Sequence, residues 1–372
     1  MRILQISSAK NFGGGERHLV DLCRGLSSGG HEIFVVLRPS NEWQEKLSFL
    51  PEERIFHLSL KNSLDVFSAR KLARIVREKN IEIVHAHLAR DYPVAALAVR
   101  LSKRAKLVLT RHLLFPLSFP HKFVLPKDST FIAVSKGVRR ELRKHFFLPH
   151  EQIRLVQNGV DTRHFENAKK VEAREDLRRR LNLKSDSLLI GIVGEITAHK
   201  GQTDFVRAAS VVLKQFPAAE FLIVGQDGSP PQKYQKRLED LIKELGLQNK
   251  IHLFGWIEDV APVFAALDVF VSASRVEPFG LVIAEAFASG CAVVATETDG
   301  ATEIIEDGKT GKLVPVENPF ELGKAVGELL SDESLRQKLG DNAQKAAEKF
   351  SVERMTAETV NIYREIITRE NS

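Results

Sequence analysis

Short apolar, β-branched runs alternate with longer helical patterns along almost the whole chain, and the alternation occurs in two successive sets. The strand-like runs are residues 3–7, 33–37, 81–85, 107–110, 131–135 and 154–157 in the first set, and 188–193, 221–224, 251–254, 269–272, 292–295 and 311–314 in the second. Strands that alternate with helices form βαβ units, which build a parallel sheet. The 372 residues also exceed what one hydrophobic core usually serves. The pattern therefore predicts an α/β protein with two domains, each on its own sheet.

The predicted domain boundaries follow from a polar segment between the two sets. Residues 166–186 are highly charged, and we interpret them as a linker that leads into a short helix. This linker separates an N-terminal domain, residues 1–165, from a C-terminal domain, residues 187–350. Residues 351–372 carry apolar side chains at helical spacing with no strand after them, which predicts a final helix.

Charge is unevenly distributed between these parts. Residues 1–165 contain 28 Lys and Arg against 15 Asp and Glu, a balance of +13, whereas the remainder carries −7. A domain this basic favours an anionic partner, such as a phosphorylated lipid, a membrane surface or nucleic acid. Recognition-helix, RNP and zinc-finger patterns are missing from the sequence, so nucleic acid is not predicted.

Apolar segments and cysteines indicate where the chain resides. No apolar run approaches the ~20 residues that a membrane-spanning helix needs. The first residues resemble a strand and lack the long apolar core of a signal peptide. Cys23 and Cys291 lie far apart in apolar segments, which predicts buried free thiols. We therefore expect a cytoplasmic protein.

The segment 275–290 contains two glutamates eight positions apart, Glu277 and Glu285. Glu277 is predicted to follow a buried strand, at the edge where open α/β sheets bind ligands. A helix is predicted to begin at Leu281, so the N–H groups of Phe279, Gly280 and Leu281 lie at its positive end and suit a phosphate. Glu285 then falls one turn beyond Leu281, where a carboxylate can accept hydrogen bonds from ribose hydroxyls. Considered alone, this segment favours the simpler interpretation, with Glu285 a half-exposed helix residue and Glu277 a solvated loop acid.

A run of three glycines follows the first predicted strand, in the sequence Gly-Gly-Gly-Glu-Arg at 13–17. The dinucleotide fingerprint requires a further glycine where this chain has His18, which weakens a nicotinamide-cofactor interpretation. Gly14 and Gly15 can nevertheless let the backbone approach a diphosphate closely. A flexible turn is the alternative for this segment.

Three histidines, His85, His87 and His112, lie at predicted strand ends. His85 and His87 alternate on one strand face, a spacing that is compatible with metal binding. Neither has an acidic partner at ligand spacing, so packing or cleft roles are favoured and no metal is predicted.

Taken together, these motifs resemble the retaining glycosyltransferases of family 4. The matching segments are the run 276–296 with Gly300, Glu303 and 307–311, the loop 13–17, and the pairs or short runs at 158–161, 200–201, 224–225 and 254–255. They span nearly the whole chain and occur in the family's order. The resemblance implies a GT-B fold, with two Rossmann-like domains facing across a cleft and the final helix packing back on the first domain.

The resemblance also implies roles for individual residues. Glu277 would hold the hydroxyls of a donor sugar, Glu285 the ribose, and His112 the sugar near its reacting carbon. Family members clamp the donor diphosphate with an arginine and a lysine, which correspond here to Glu195 and Lys200. Lys200 matches this pattern and Glu195 departs from it, so Lys200 is expected to carry the phosphate clamp. Gly14 and Gly15 would face the donor phosphates.

These correspondences imply transfer of a sugar, with retention, from a nucleoside-diphosphate sugar to an anionic or lipid-linked glycan acceptor. Bacterial envelope glycans such as lipopolysaccharide are the expected products, made without a metal or other cofactor. The basic domain adds a possible peripheral contact with the inner face of the membrane. Two alternatives remain at this point: a nucleotide-sugar 2-epimerase of the same fold, and a non-catalytic sugar-nucleotide binder, which Glu195 would favour.

Overall fold

The computed structural model describes residues 1–117, 121–145, 147–168, 170–184 and 187–368. The chain forms two compact units. The first comprises Met1–Gly159 together with Val352–Ser372, and the second comprises Val160–Ser351. Helices and strands are numbered below in chain order.

The first unit contains a parallel sheet with the strand order β3-β2-β1-β4-β5-β6-β7. Its strands are β1 (Arg2–Ser7), β2 (Glu32–Leu37), β3 (Ile55–His57), β4 (Ile83–Ala86), β5 (Lys106–Arg111), β6 (Thr130–Ala133) and β7 (Ile153–Leu155). Central strands such as β4 are buried along their whole length. Continuous apolar strands of this kind are typical of parallel sheets that helices cover on both faces.

The helices of the first unit connect these strands. They are α1 (Gly14–Ser28), α2 (Val66–Glu78), α3 (Tyr92–Ser102), α4 (His121–Val124), α5 (Lys136–Arg143) and α15 (Val352–Thr368), with short 3-10 turns at Gln44–Leu47, Glu52–Arg54 and His150–Gln152. Capping side chains define two of their starts. The Asp65 carboxylate accepts from the Ser68 N–H at 2.9 Å before α2, and the Ser135 hydroxyl accepts from the Val138 N–H at 3.1 Å before α5.

The second unit repeats the architecture with the strand order β10-β9-β8-β11-β12-β13, again parallel. Its strands are β8 (Leu189–Val193), β9 (Glu220–Val224), β10 (Ile251–Phe254), β11 (Val269–Ser272), β12 (Ala292–Thr296) and β13 (Lys312–Val314). Its helices are α6 (Thr162–Glu166), α7 (Lys170–Arg180), α8 (Gln202–Val212), α9 (Lys233–Glu244), α10 (Ala261–Ala266), α11 (Leu281–Ala288), α12 (Asp299–Ile304), α13 (Pro319–Ser331) and α14 (Glu333–Ala347), followed by a 3-10 turn at Glu348–Phe350. Two parallel-sheet, Rossmann-like units confirm the predicted α/β fold class.

Each sheet has a topological switch point, where the strand order reverses. In the first unit it lies between β1 and β4, and in the second between β8 and β11. The loops that leave the carboxyl ends of such strand pairs form the usual ligand crevice of open α/β sheets. The loops after β1 and β4, and those after β8 and β11, are therefore the places to look for a site.

The observed division differs in detail from the boundaries drawn from the sequence. The first unit ends at Gly159 rather than 165, and the second runs on to Ser351. The segment 166–186, interpreted as a linker, contains α7 and belongs to the second unit. There Arg174 forms a two-pronged bond to Asp268, at 2.8 and 3.3 Å, which fixes this highly charged helix against the start of β11.

The last helix completes the first unit. Met355 and Tyr363 of α15 are fully buried in the same apolar cluster as Leu19, Leu22 and Cys23 of α1. Cys291 is buried in the second unit, and both cysteines are free thiols. Within the described part of the chain, no helix is long and apolar enough to cross a membrane.

Candidate functional site

Lys200 and Glu277 meet at the switch point of the second sheet. Lys200 ends the loop after β8, Glu277 lies in the loop after β11, and Lys200 Nζ donates to Glu277 Oε2 at 2.6 Å. The Glu277 side chain is only 9% exposed, whereas that of Lys200 is 32% exposed. The ammonium group therefore bridges a buried carboxylate and solvent, where an anionic ligand can reach it.

Two glycines hold these loops together. Gly201 has a φ of +70°, and a Cβ at that position would collide with the carbonyl of Ala273, directly after β11. Gly300 donates its N–H to the Glu277 carbonyl at 2.9 Å, and a Cβ there would collide with the Phe279 carbonyl. Both positions therefore require a residue without a side chain. This close backbone approach fixes Lys200 and Glu277 beside each other.

Helix α11 begins at Leu281 immediately after this loop, with Gly280 as its N-cap. Its first intrahelical bond runs from the Ile283 N–H to the Gly280 carbonyl, so the N–H groups of Gly280 and Leu281 precede the helical ladder. The Phe279 ring is buried and packs against Phe350 with a centroid distance of 5.8 Å, so this side chain has a structural role. The positive end of α11 thus lies next to Glu277.

Glu285 lies on the second turn of α11 and is buried. A buried carboxylate on a helix requires polar partners. The structure therefore places Glu285 inside the protein rather than on a solvated surface, four residues beyond Leu281.

Glu195, which departs from the family pattern, lies in the loop after β8. Its side chain is exposed and lies near Gly228, and its carbonyl accepts from Gln202 Nε2 at 2.9 Å. A further cation in this region, Arg275, was not singled out from the sequence although it lies two residues before Glu277. It pairs with Asp204 at 3.3 Å and with Glu317 at 3.0 Å, so its charge is balanced within the protein.

The glycine loop of the first unit leads into α1. The Gly13 N–H donates to the Glu16 carboxylate at 3.1 Å, which caps the helix from within the chain. Burial raises the pKa of Glu16. Gly14 is exposed, and Gly15 adjoins the ring of His112, which lies 3.8 Å from the position of a Cβ there. The loop thus brings Gly15 and His112 together at the switch point of the first sheet.

Four histidines gather at this same edge of the first sheet. His85 lies between the hydroxyls of Tyr363 and Thr110, each 2.6 Å from one of its ring nitrogens. Packing is one of the two roles, packing or cleft, that the sequence favours for it. His18 of α1 lies beside His87 and His112, although its sequence pattern gave no sign of a functional role. Burial lowers the pKa of His18 to about 4 and the pKa values of His87 and His112 well below 6.5.

The chain matches two family profiles in succession. Residues 12–164 match the profile described as Glycosyltransferase Family 4, and residues 173–346 match Glycosyl transferases group 1. An uncharacterised glycosyltransferase of Methanocaldococcus jannaschii is 31% identical over 236 residues, which are 63% of this chain and 59% of that protein. The lipopolysaccharide core biosynthesis glycosyltransferase LpsE of Rhizobium meliloti is 25% identical over 350 residues, 92% of this chain and 94% of LpsE.

Among solved structures, the Anabaena protein HepE in complex with UDP and glucose superposes with a TM-score of 0.85 at 22% identity, covering 98% of this chain and 100% of that one. HepE is also solved with UDP-glucose. The chain spans 52–61% of the length of the first three curated relatives that it matches. With the two profiles and the fold, these matches identify the class: the chain belongs to the group 1 glycosyltransferases and has the GT-B fold.

Proposed function

We propose that this protein is a retaining glycosyltransferase that moves a sugar from a nucleoside-diphosphate sugar to a glycan acceptor. The observation that carries the proposal is the Lys200–Glu277 pair at the switch point of the second sheet, beside the start of α11. A cation and a helix N-terminus together suit a diphosphate, and a carboxylate next to them suits sugar hydroxyls. HepE, which has the same fold, binds UDP-glucose, and this supports the class of donor.

Each residue then has a distinct task in the reaction. Lys200 and the N–H groups of Phe279, Gly280 and Leu281 stabilise the negative charge that builds on the departing diphosphate. Glu285 accepts hydrogen bonds from the ribose, and Glu277 from the hydroxyls of the sugar. His112, next to Gly15, contacts the sugar near its reacting carbon. Lys200 must also exchange part of its bond to Glu277 for the diphosphate when the donor enters.

The chemical step exchanges one bond at the anomeric carbon for another. The bond from this carbon to the phosphate oxygen breaks, and the acceptor oxygen bonds to the same face of the carbon. The proton of the acceptor hydroxyl passes to the departing phosphate oxygen, so the nucleoside diphosphate leaves and charge balances. The residues assigned here supply the charge stabilisation, and transfer requires no bound metal.

The acceptor is proposed from charge. Helix α5 and the residue after it present exposed basic side chains, those of Lys136, Arg140, Arg143 and Lys144. They lie on the unit that holds most of the positive charge. This surface favours an anionic or lipid-linked acceptor at the cytoplasmic face of the inner membrane. The similarity to LpsE supports envelope glycans, lipopolysaccharide among them, as the product class.

A thermal-shift panel of nucleoside diphosphates and their sugars identifies the donor, because a ligand that binds only the folded state raises its stability. The best donor is then incubated with glycan acceptors, and nucleotide release is measured with and without acceptor. We expect release that depends on the acceptor and a product whose anomeric configuration, read by NMR, matches the donor. Release without acceptor would favour an epimerase, and tight nucleotide binding without turnover would favour a binding protein.

A further inference from the structure

His18, His87 and His112 surround a common point at the carboxyl edge of the first sheet. They come from the first turns of α1, from the end of β4 and from the end of β5. The ring centroids lie 4.8 Å apart for His18 and His112, 5.5 Å for His18 and His87, and 5.9 Å for His87 and His112. One nitrogen from each ring can be chosen so that all three lie within 4.8 Å of one another.

Each of the three rings has a buried nitrogen that makes no hydrogen bond to the protein. Nδ1 of His87, Nε2 of His112 and one ring nitrogen of His18 are buried without a hydrogen bond. The other ring nitrogen of His18 interacts with the Asn158 side chain. His18 is 2% exposed and His87 is 3% exposed. Buried polar atoms without partners cost stability and are rare in native proteins. One such nitrogen from each of three rings, gathered at one place, indicates a ligand that accepts nitrogen lone pairs.

The neighbours of His87 fix which of its nitrogens carries the proton. Gln5 Oε1 lies 2.7 Å from His87 Nε2, and a carbonyl oxygen can only accept. His87 Nε2 therefore donates, and Nδ1 presents its lone pair to the common point. Histidines that bind a metal typically donate their other N–H to an acceptor in this way. His85 is excluded as a ligand because Tyr363 and Thr110 occupy both of its nitrogens.

We propose that His18, His87 and His112 bind one divalent transition-metal ion of the zinc class, with an open fourth position. Zn²⁺ binds imidazole nitrogens at about 2.0–2.1 Å, and three rings around a tetrahedral ion place their centroids roughly 5 Å apart. The observed separations run from 4.8 to 5.9 Å, so the rings must move together by up to about 1 Å when an ion binds. A set made only of imidazole nitrogens suits zinc, copper or nickel, and it does not suit Mg²⁺ or Ca²⁺, which prefer oxygen ligands.

The site has a functional consequence that rests on the proposed function, whereas the metal site itself does not. His112 cannot contact the donor sugar and coordinate an ion with the same ring nitrogen. The ion therefore competes with the donor sugar for His112 and acts as a reversible inhibitor of sugar transfer rather than as a cofactor.

Calorimetry with Zn²⁺ on the tag-free, chelator-treated full chain tests the site without any donor. We expect one ion per chain, with affinity at least about tenfold weaker in each of His18→Asn, His87→Gln and His112→Asn. His57→Gln is the matched control, because His57 is an exposed histidine of the same unit. Co²⁺ in place of Zn²⁺ reports a four-coordinate nitrogen site through its visible absorption.

Circular dichroism verifies that each variant folds, and His112→Asn carries the test if the two more buried histidines do not tolerate change. Gln5→Leu leaves all three ligands in place and removes the acceptor that orients His87. We therefore expect it to lower the affinity for Zn²⁺ as well. Absence of Zn²⁺ binding to the unaltered protein, or binding that the three histidine variants leave unchanged, would overturn the site. Inhibition of transfer by Zn²⁺, with recovery on chelation, is measured separately, so failure of the proposed transfer reaction leaves the binding result intact.

Discussion

Lys200 contacts both a distant carboxylate and solvent, which its position in the sequence does not show. Its ammonium bonds to a carboxylate 77 residues away, and about a third of its side chain faces solvent. Glu277 is buried, so it depends on Lys200 to balance its charge. A diphosphate that approaches Lys200 therefore competes with Glu277 for the ammonium group. When the diphosphate binds, the Glu277 carboxylate is released to accept hydrogen bonds from the sugar, as proposed above.

Replacing Lys200 with methionine removes the charge and keeps much of the volume. We expect kcat/KM for sugar transfer to fall roughly 10- to 100-fold, since a hydrogen bond to a charged group contributes on the order of 1.5–3 kcal/mol. Lys324→Met is the matched control, because Lys324 pairs with Glu321 at 3.1 Å on an exposed helix surface. Steady-state kinetics check the prediction, and equal activity of the two variants would remove Lys200 from the site.

We expect Glu285 and Glu277 to bind different parts of the donor, so their variants should have different effects. Glu285→Gln is expected to lower the affinity for the nucleoside diphosphate roughly tenfold or more, because it removes a charged acceptor proposed to bind the ribose. Glu277→Gln should leave the affinity for the free nucleotide nearly unchanged and reduce turnover. Isothermal calorimetry measures the nucleotide affinity, with Glu328→Gln on the exposed face of α13 as the control. A similar loss of nucleotide affinity in both variants would contradict this division of roles.

At the scale of elements, Asp91 ties together the loops after β1 and β4. Its carboxylate accepts from the Ser8 N–H at 2.8 Å, and burial raises its pKa to about 6 from 3.8. Because the folded-state pKa is raised, the stability that this group contributes is fully present below pH 3.8 and is lost as the pH rises through 6.

Asp91→Asn should abolish this dependence on pH. Relative to the variant, the unaltered protein is expected to lose on the order of 1 kcal/mol in free energy of unfolding between pH 5 and pH 7. Urea denaturation of both proteins at the two pH values gives the comparison, and Asp65→Asn, at the start of α2, serves as a carboxylate control whose pKa is lowered to about 2 and does not titrate in this window. Parallel pH profiles for the unaltered protein and Asp91→Asn would show that Asp91 does not titrate as described.

The elements that the sequence predicts well are those with long, regular patterns. The central buried strands and the helix after Gly280 lie close to their predicted positions, because apolar runs and a glycine N-cap act locally. Strand β3 was missed, since its three residues are too few to show a pattern and pairing with β2 defines it. A short helix was expected from the charged segment 166–186, and α7 lies there. That this helix belongs to the second unit depends on the pairing of Arg174 with Asp268, a tertiary contact that the sequence does not show.

The candidate site shows the same division. Strand ends and glycine loops indicated where Lys200, Glu277 and Glu285 would lie, and the family resemblance supplied their roles. The bond between Lys200 and Glu277 depends on the close backbone approach at Gly201, which no sequence spacing expresses. The sequence likewise did not indicate that His18, His87 and His112 lie together. The expected partner of His87 was an acidic residue close in sequence, whereas the actual neighbour is His18, which helix α1 supplies.

At the scale of the whole molecule, positive charge is concentrated in residues 1–165. We expect the protein to co-sediment with vesicles that contain anionic lipid and not with neutral vesicles, and binding should fall steeply with added salt. A double variant, Arg140→Gln with Arg143→Gln on α5, should weaken binding, whereas Arg179→Gln on α7 of the second unit should not. Salt-independent binding, or equal binding to neutral vesicles, would contradict an electrostatic membrane contact.

The first unit is built from two stretches of chain that are separated by the entire second unit. On the ribosome, residues 1–159 emerge long before Met355 and Tyr363, which fill part of their core. The second unit is one continuous stretch, so all of its residues are synthesised before α15 of the first unit. Although N-terminal domains generally fold first during synthesis, here the insert can reach its final packing before the unit that flanks it. Until α15 has been synthesised, the apolar surface that it covers in the folded unit stays exposed, and we expect chaperones to bind there.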